Sequence, residues 1–83
     1  MSKSISKKEI FKIIAKSLSV PEKMINEKVS SNNYEEWDSM SHINILITLD
    51  KKLSGKAQKI QELSEAYSVK KIIQLLEKKK LLK

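Results

Sequence analysis

The sequence predicts an all-α fold: a four-helix bundle with three longer helices, a short third helix and a long first loop. The chain has one glycine and one proline among 83 residues, whereas strand-rich domains usually need more turn-forming residues. Isoleucine, leucine, lysine and glutamate dominate the composition, which favours helices. A chain of this length supports one small core, so we expect residues 1–83 to form a single domain.

The first helix is predicted over residues 7–18. Ser6 is placed to cap its N-terminus, and Glu9 three residues later completes a capping box. Pro21 lies beyond the last apolar residue and marks the stop. The apolar residues recur at helical spacing on one face. They are Ile10, Phe11, Ile14 and Leu18.

A long connection over residues 19–38 separates this helix from the next. Met24, Ile25 and Val29 are its isolated apolar residues, and we expect them to anchor the loop across the helices. Loops of this length inside a compact domain are uncommon and tend to be functional.

The second helix is predicted from residue 38 or 39 to about residue 53. Asp38 can cap it, and Gly55 lies just beyond its end. Its apolar residues cover more than one face, so we expect a central and largely buried helix. They are Met40, Ile43, Ile45, Leu46, Ile47, Leu49 and Leu53.

Two further helices complete the prediction. A short one is expected over residues 57–64, with Ile60 and Leu63 as its apolar contacts. The last is expected over residues 69–81 with Ser68 as its cap, because apolar residues recur there at helical spacing.

The charge of the chain is uneven along its length. The net charge is +7 and all 17 basic residues are lysine. Residues 1–18 carry +4, residues 19–38 carry −3 and residues 68–83 carry +5. Arginine, which grips phosphate and guanine through two hydrogen bonds, is absent. Aromatic residues do not alternate with the lysines, so we expect solvated helix faces and no nucleic-acid partner.

Several classes of function are disfavoured by composition. The chain has no cysteine and one histidine, which excludes disulfides and thiolate or multi-histidine metal sites. No apolar run approaches the roughly 20 residues of a membrane span, and no signal-peptide pattern follows the N-terminus. We therefore expect a monomeric cytoplasmic protein.

A hydrolytic triad could be named from Asp38, Ser39 and His42. Three residues at one exposed helix start would provide neither an oxyanion hole nor a substrate wall. We expect no enzyme, no catalytic residue and no bound metal.

The segment Trp37-Asp38-Ser39-Met40-Ser41-His42-Ile43 lies where the long loop meets the second helix. Here the sequence resembles the acyl carrier protein family, which has an Asp-Ser-Leu or Asp-Ser-Met motif at the start of its second helix. The resemblance covers nearly the whole chain, including its length, its long first loop and Ala66-Tyr67-Ser68-Val69 before the final helix. It implies a four-helix bundle with a short third helix.

The resemblance also implies a chemistry. Ser39 would carry a covalent phosphopantetheine arm whose thiol holds an acyl or aminoacyl group as a thioester. Asp38 would help a phosphopantetheinyl transferase to bind its metal ion. The residues assigned to recognition of the transferase or of other partners are Asp38, Met40, His42, Ile43, Trp37 and Glu36.

Alternatives remain open for these side chains. Met40 is either core or a contact beside the arm. Core is favoured for Ile43, and a loop anchor in the core is favoured for Trp37. His42 is expected to be a partly exposed helix residue.

The chain departs from the family pattern in its charge. Stand-alone carriers of fatty acid synthesis are strongly acidic along helix two, whereas Asp50 is the only acid over residues 39–53. Glu35, Glu36 and Asp38 could take over part of that role. We therefore expect a dedicated carrier for a specialised lipid, polyketide, peptide or surface-glycan pathway, served by its own activating enzyme and a downstream acyltransferase or synthase.

Three alternative functions follow from the same residues. The first is an aminoacyl carrier, of the D-alanyl or peptidyl type. The second is a basic helical adaptor that binds nucleic acid or an anionic membrane, since the two chain ends are basic. The third is an unmodified module that binds a partner helix in a groove, for which Ser39 would be dispensable.

Overall fold

A computed structural model describes residues 4–83, and these residues form three α-helices joined by loops and 3-10 turns. The helices are α1 (Lys7–Leu18), α2 (Ser39–Lys52) and α3 (Val69–Lys78). The 3-10 turns span Glu22–Met24, Ala57–Lys59 and Gln61–Glu65. Over residues 4–83 there is no strand, only isolated β-bridges that pair Ile5 with Leu82 and Ser30 with Ser68.

The helix starts are the elements that local sequence predicts best. Ser6 and Glu9 form the expected capping box at α1. Asp38 accepts a hydrogen bond from the Ser41 backbone N–H at the start of α2, and Ser68 accepts one from Lys71 at the start of α3. All three predicted caps are confirmed, because each needs only an oxygen-bearing side chain within three residues of a free N–H.

Each helix is followed by a left-handed residue other than glycine, and after α2 the predicted Gly55, with a φ of 85°, comes next. Ser19, Ser54 and Lys80 have φ values of 59°, 54° and 61°. After α3, Lys80 and Leu81 donate backbone hydrogen bonds to Glu77 and Leu76, the pattern of a Schellman motif. This motif ends α3 three residues earlier than expected and turns the chain back so that Leu81 is buried.

The predicted short third helix is wrong in type, and a four-helix bundle is therefore not confirmed. Residues 57–65, here called the 3-10 segment, form two 3-10 turns with the extended residue Ile60 between them. Its buried apolar residues recur every third position, which matches three residues per turn better than 3.6. They are Ala57, Ile60 and Leu63, and Ala66 continues the spacing directly after the segment.

The first loop, residues 19–38, is held against the rest of the fold. Ile25 and Val29 are buried as predicted, but Met24 is half-exposed, so its expected role as an anchor is wrong. The Val29 carbonyl accepts from the Val69 N–H, and the Ser31 N–H donates to the Tyr67 carbonyl. These bonds fasten the loop to the start of α3.

The central helix α2 is less buried than predicted. Of its 14 residues only His42, Ile45 and Leu49 are buried, and they lie along one face that packs on α1 and on the 3-10 segment. The core of an 83-residue chain is too small to cover the other apolar face.

The two ends of the described chain lie side by side. The Ile5 N–H donates to the Leu81 carbonyl at 2.8 Å, and the Lys83 N–H donates to the Ile5 carbonyl at 2.9 Å. Within residues 4–83, no helix combines the length and apolar character needed to cross a membrane.

Candidate functional site

The motif serine lies at the surface, at the first position of α2. Ser39 and Asp38 are both exposed. The Asp38 carboxylate accepts from the Ser41 N–H at 2.9 Å, and this bond lowers the pKa of Asp38 below its usual value. Asp38 is therefore ionised at neutral pH and holds the first turn of α2 in place. The Ser39 hydroxyl stands on a fixed helix start and is open to an incoming macromolecule.

The residues that flank the motif form a buried hydrogen-bonded network. The Trp37 indole N–H donates to Nδ1 of His42 at 3.0 Å, and Nε2 of His42 lies 2.8 Å from the Leu63 carbonyl oxygen. Because Nδ1 accepts from an indole N–H, the proton of the neutral ring belongs on Nε2. The His42 ring also stacks on Tyr67, with ring centroids 4.0 Å apart.

This network corrects the expectation for His42 and decides between the alternatives for Trp37. His42 is 2% exposed rather than partly exposed, and Trp37 is 3% exposed. Neither side chain can contact a partner at the surface of this structure, so their assignment to partner recognition is not supported. The favoured interpretation of Trp37 as a core anchor is confirmed: it joins the end of the first loop to α2, and through His42 to the 3-10 segment.

An exposed apolar row begins beside Ser39 and runs along α2. Met40 is 72% exposed, Ile43 is 51% exposed and Ile47 is 49% exposed. Their spacing of i, i+3 and i+7 places them on one helix face. The expectation that Ile43 belongs to the core is wrong, and the alternative of a core Met40 is excluded. Both remain available for contact with a partner.

A groove of about 720 Å³ lies between the later part of α2 and the 3-10 segment. Ile47 contributes to both the exposed row and the groove wall. The remaining apolar lining comes from Leu46, Ala57, Ile60 and Leu63. Apolar surface therefore continues from the α2 row into a concave site.

The acidic residues before the motif lie at the surface as the sequence suggests. Glu35 and Glu36 are exposed, like Asp38. These three acids directly precede Ser39 in the chain. The face of α2 beyond Ser39 carries the neutral residues Ser41, Asn44 and Thr48 before its first acid, Asp50.

The geometry limits the chemistry that Ser39 can undergo. His42 cannot act as its base in this conformation, because both ring nitrogens are engaged in the core and burial lowers the pKa of the imidazole. The free N–H groups and dipole of the α2 N-terminus favour an anion attached at Ser39. Within residues 4–83, no group of three or more His, Cys, Asp or Glu side chains is arranged to hold a metal ion.

Sequence reasoning did not identify Ile47 and Tyr67 as parts of this region. Ile47 could have been found, since it continues the spacing of Met40 and Ile43 along α2. The stacking of Tyr67 on His42 joins residues 25 positions apart, and no local pattern predicts it.

Comparisons of the chain with protein-family models, with curated protein sequences and with solved structures give no match in any of the three.

Proposed function

We propose that the protein is a carrier that holds an acyl or aminoacyl group as a thioester on a phosphopantetheine arm attached to Ser39. The observation that carries the proposal is the Asp38-Ser39-Met40 motif at the first turn of an exposed helix, with the serine hydroxyl open to solvent. The arm would supply the thiol, since the chain has no cysteine of its own.

The residues around Ser39 fit a phosphodiester. The α2 N-terminus offers positive partial charge where the phosphate would lie. Asp38 keeps the helix start rigid through its bond to Ser41, and its ionised carboxylate is exposed beside the serine for the metal ion of a phosphopantetheinyl transferase. The exposed Met40 and Ile43 present flexible and branched apolar surface to partner enzymes.

Such a carrier would need partner enzymes that modify, load and unload it. A transferase would install the arm, an activating enzyme would load it, and an acyltransferase or synthase would unload it, in lipid or another specialised biosynthesis. The carrier would act as a cytoplasmic monomer and would not itself be an enzyme. In a bundle of the carrier type, the 3-10 segment would take the place of the short third helix.

Intact mass spectrometry tests the proposal. The full chain is incubated with coenzyme A, magnesium and a broad-specificity phosphopantetheinyl transferase. Ser39→Ala is the test variant and Ser41→Ala is the matched control, because Ser41 lies two residues further along the same helix. We expect one phosphopantetheinyl addition in the wild type and in Ser41→Ala, and none in Ser39→Ala.

Addition to folded Ser39→Ala would refute the assigned site. No addition to the folded wild-type chain by a panel of transferases would refute the carrier function. Loading assays with acyl- and aminoacyl-activating enzymes would then separate an acyl carrier from a D-alanyl or peptidyl carrier.

A further inference from the structure

The fold gathers lysines from both ends of the sequence at one end of the molecule. The hydrogen bonds between Ile5, Leu81 and Lys83 join the chain ends at the N-terminus of α1. Lys52, in the last turn of α2, and Lys83 both act electrostatically on Glu9 in the first turn of α1. We call this cluster the basic pole. Its members are Lys7, Lys8, Lys52, Lys79, Lys80 and Lys83.

Every lysine of the basic pole is exposed, and three acids lie beside them. Glu9 lies among them and keeps its negative charge, because hydrogen bonds from Ser6 in the capping box lower its pKa. Glu27 forms an ion pair with Lys7 at 3.5 Å. The Glu77 carbonyl accepts from the Lys80 N–H, so this acid also lies beside the pole. With these three acids counted against its six lysines, the pole keeps a net charge of +3.

The backbone that follows α3 holds the last lysines of the basic pole in fixed positions. Lys80 adopts a left-handed conformation in the Schellman motif that ends α3, and Leu81 is buried directly after it. Lys79, Lys80 and Lys83 are thus attached to an anchored backbone. A mobile tail would spread the same charges over a larger volume.

The basic pole lies away from the candidate site. Ser39 and Lys52 occupy the two ends of α2, a separation of about 20 Å along the helix axis. A partner bound at the pole would therefore leave Ser39 and the Asp38 carboxylate accessible.

We propose that the basic pole docks the protein peripherally on an anionic lipid bilayer. Lysine offers a compact, strongly hydrated charge on a flexible stem and no planar fork, which suits laterally mobile head groups better than a fixed pattern of phosphates. Clusters of four to eight lysines or arginines beside a membrane helix or on an amphipathic helix are typical of anionic lipid binding, and the basic pole gathers six lysines at the chain ends and the end of α2.

Nucleic acid is the weaker candidate for the same charge. The chain has no arginine. Trp37 is in the core, and Phe11, Tyr34 and Tyr67 are partly buried against it. No aromatic ring therefore stands among the pole lysines as a surface on which bases could stack.

Vesicle co-sedimentation of the full chain tests the proposal. The vesicles contain one part phosphatidylglycerol to two parts phosphatidylcholine, with pure phosphatidylcholine as the neutral control. We expect binding to the anionic vesicles alone at about 0.1 M salt and release at about 1 M salt, where the screening length falls to about 3 Å.

Two triple variants locate the binding surface. Lys79, Lys80 and Lys83 are changed to glutamine in the pole variant. Lys16, Lys70 and Lys71, exposed residues outside the pole, are changed to glutamine in the control, so that both chains carry +4 instead of +7. Circular dichroism checks that each is folded. We expect the pole variant to bind vesicles on the order of 100-fold more weakly, roughly fivefold for each lysine, and the control to lose far less.

Three results would each overturn the proposal: no binding of the wild type to anionic vesicles, equal losses in the two triple variants, or binding to duplex DNA as tight as to the vesicles at the same salt concentration. The test does not depend on the arm at Ser39, since vesicle binding is measured with the unmodified chain. Failure here would leave the carrier proposal intact, and failure of the mass experiment would leave this proposal intact.

Discussion

At the scale of single residues, His42 decides how the motif is supported. It accepts from Trp37 through Nδ1 and reaches the Leu63 carbonyl through Nε2. Protonation of Nδ1 would place a donor against the indole N–H and break the bond. Trp37, the residue before Asp38, would then lose its hydrogen bond to α2. The orientation of the site thus depends on a neutral imidazole.

We predict that the protein loses stability as the pH falls below about 6.5, the ordinary pKa of histidine. Burial lowers the pKa of His42 in the native state, so the unfolded chain binds a proton that the native chain does not. The free energy of unfolding therefore falls with decreasing pH, by at most about 1.4 kcal/mol per unit, until the native pKa is reached. Above pH 6.5 the contribution of His42 is fully present.

Urea denaturation at several pH values measures this effect. The chain has one histidine, so the His42→Gln variant removes the only imidazole while its amide can accept from Trp37 and donate to Leu63. We expect the slope of stability against pH to be much smaller in His42→Gln between pH values of about 5 and 7. The same slope in both proteins would contradict the assignment.

The same residue shows a limit of prediction from sequence. The caps Ser6, Asp38 and Ser68 were predictable because their partners lie within three residues. The partner that holds His42 in the core is the Leu63 carbonyl, 21 residues away. A backbone oxygen has no sequence signature, so the sequence predicted a partly exposed His42.

At the scale of elements, α2 carries two rows of residues at helical spacing and buries one of them. His42, Ile45 and Leu49 face the core, while Met40, Ile43 and Ile47 face outwards. Both rows have the spacing of a helix face, and local pattern cannot say which one is buried. The buried row is the one against which α1 and the 3-10 segment pack.

A matched pair of substitutions tests this division of α2. Ile45→Ala should destabilise the fold by about 2–5 kcal/mol, because it removes buried methylenes and leaves a cavity. Ile43→Ala should change stability by less than about 1 kcal/mol, because that side chain is half-exposed and alanine favours the helix. Thermal unfolding of the two variants measures the difference. Similar losses in both would show that Ile43 is packed.

The 3-10 segment illustrates a second limit at this scale. The position of the segment after Gly55 and its contacts Ile60 and Leu63 were predicted correctly. Its type was not, because a short run of apolar residues every third position is compatible with either an α-helix or 3-10 turns. The 3-10 segment forms one wall of the groove that Ile47 also lines.

At the scale of the whole molecule, charge is divided between the two ends of α2. The negative charges before Ser39 come from Glu35, Glu36 and Asp38, and the basic pole lies at the other end of the helix. The sequence predicted that both chain termini are basic. It could not show that the Ile5–Leu82 bridge joins them at one place, because that pairing connects residues at opposite ends of the chain.

We predict that this concentration of charge makes the protein more stable as salt is added at low ionic strength. The pole lysines repel one another in the native state, and residues 4–83 contain a single ion pair, between Lys7 and Glu27, to oppose the effect of the +7 net charge. Raising the salt from about 0.01 M to about 0.15 M shortens the screening length from about 30 Å to about 8 Å. The repulsion is then largely screened, and the melting temperature should rise.

Differential scanning calorimetry on the two triple variants separates local from overall repulsion. Changing Lys79, Lys80 and Lys83 to glutamine removes charge from the pole, whereas changing Lys16, Lys70 and Lys71 removes the same charge elsewhere. If the repulsion is local, the pole variant should melt at a higher temperature than the control at low salt and respond less to added salt. Equal responses would mean that the lysines act through net charge alone. A melting temperature that falls with salt would instead show that attractive pairs dominate the electrostatics of the fold.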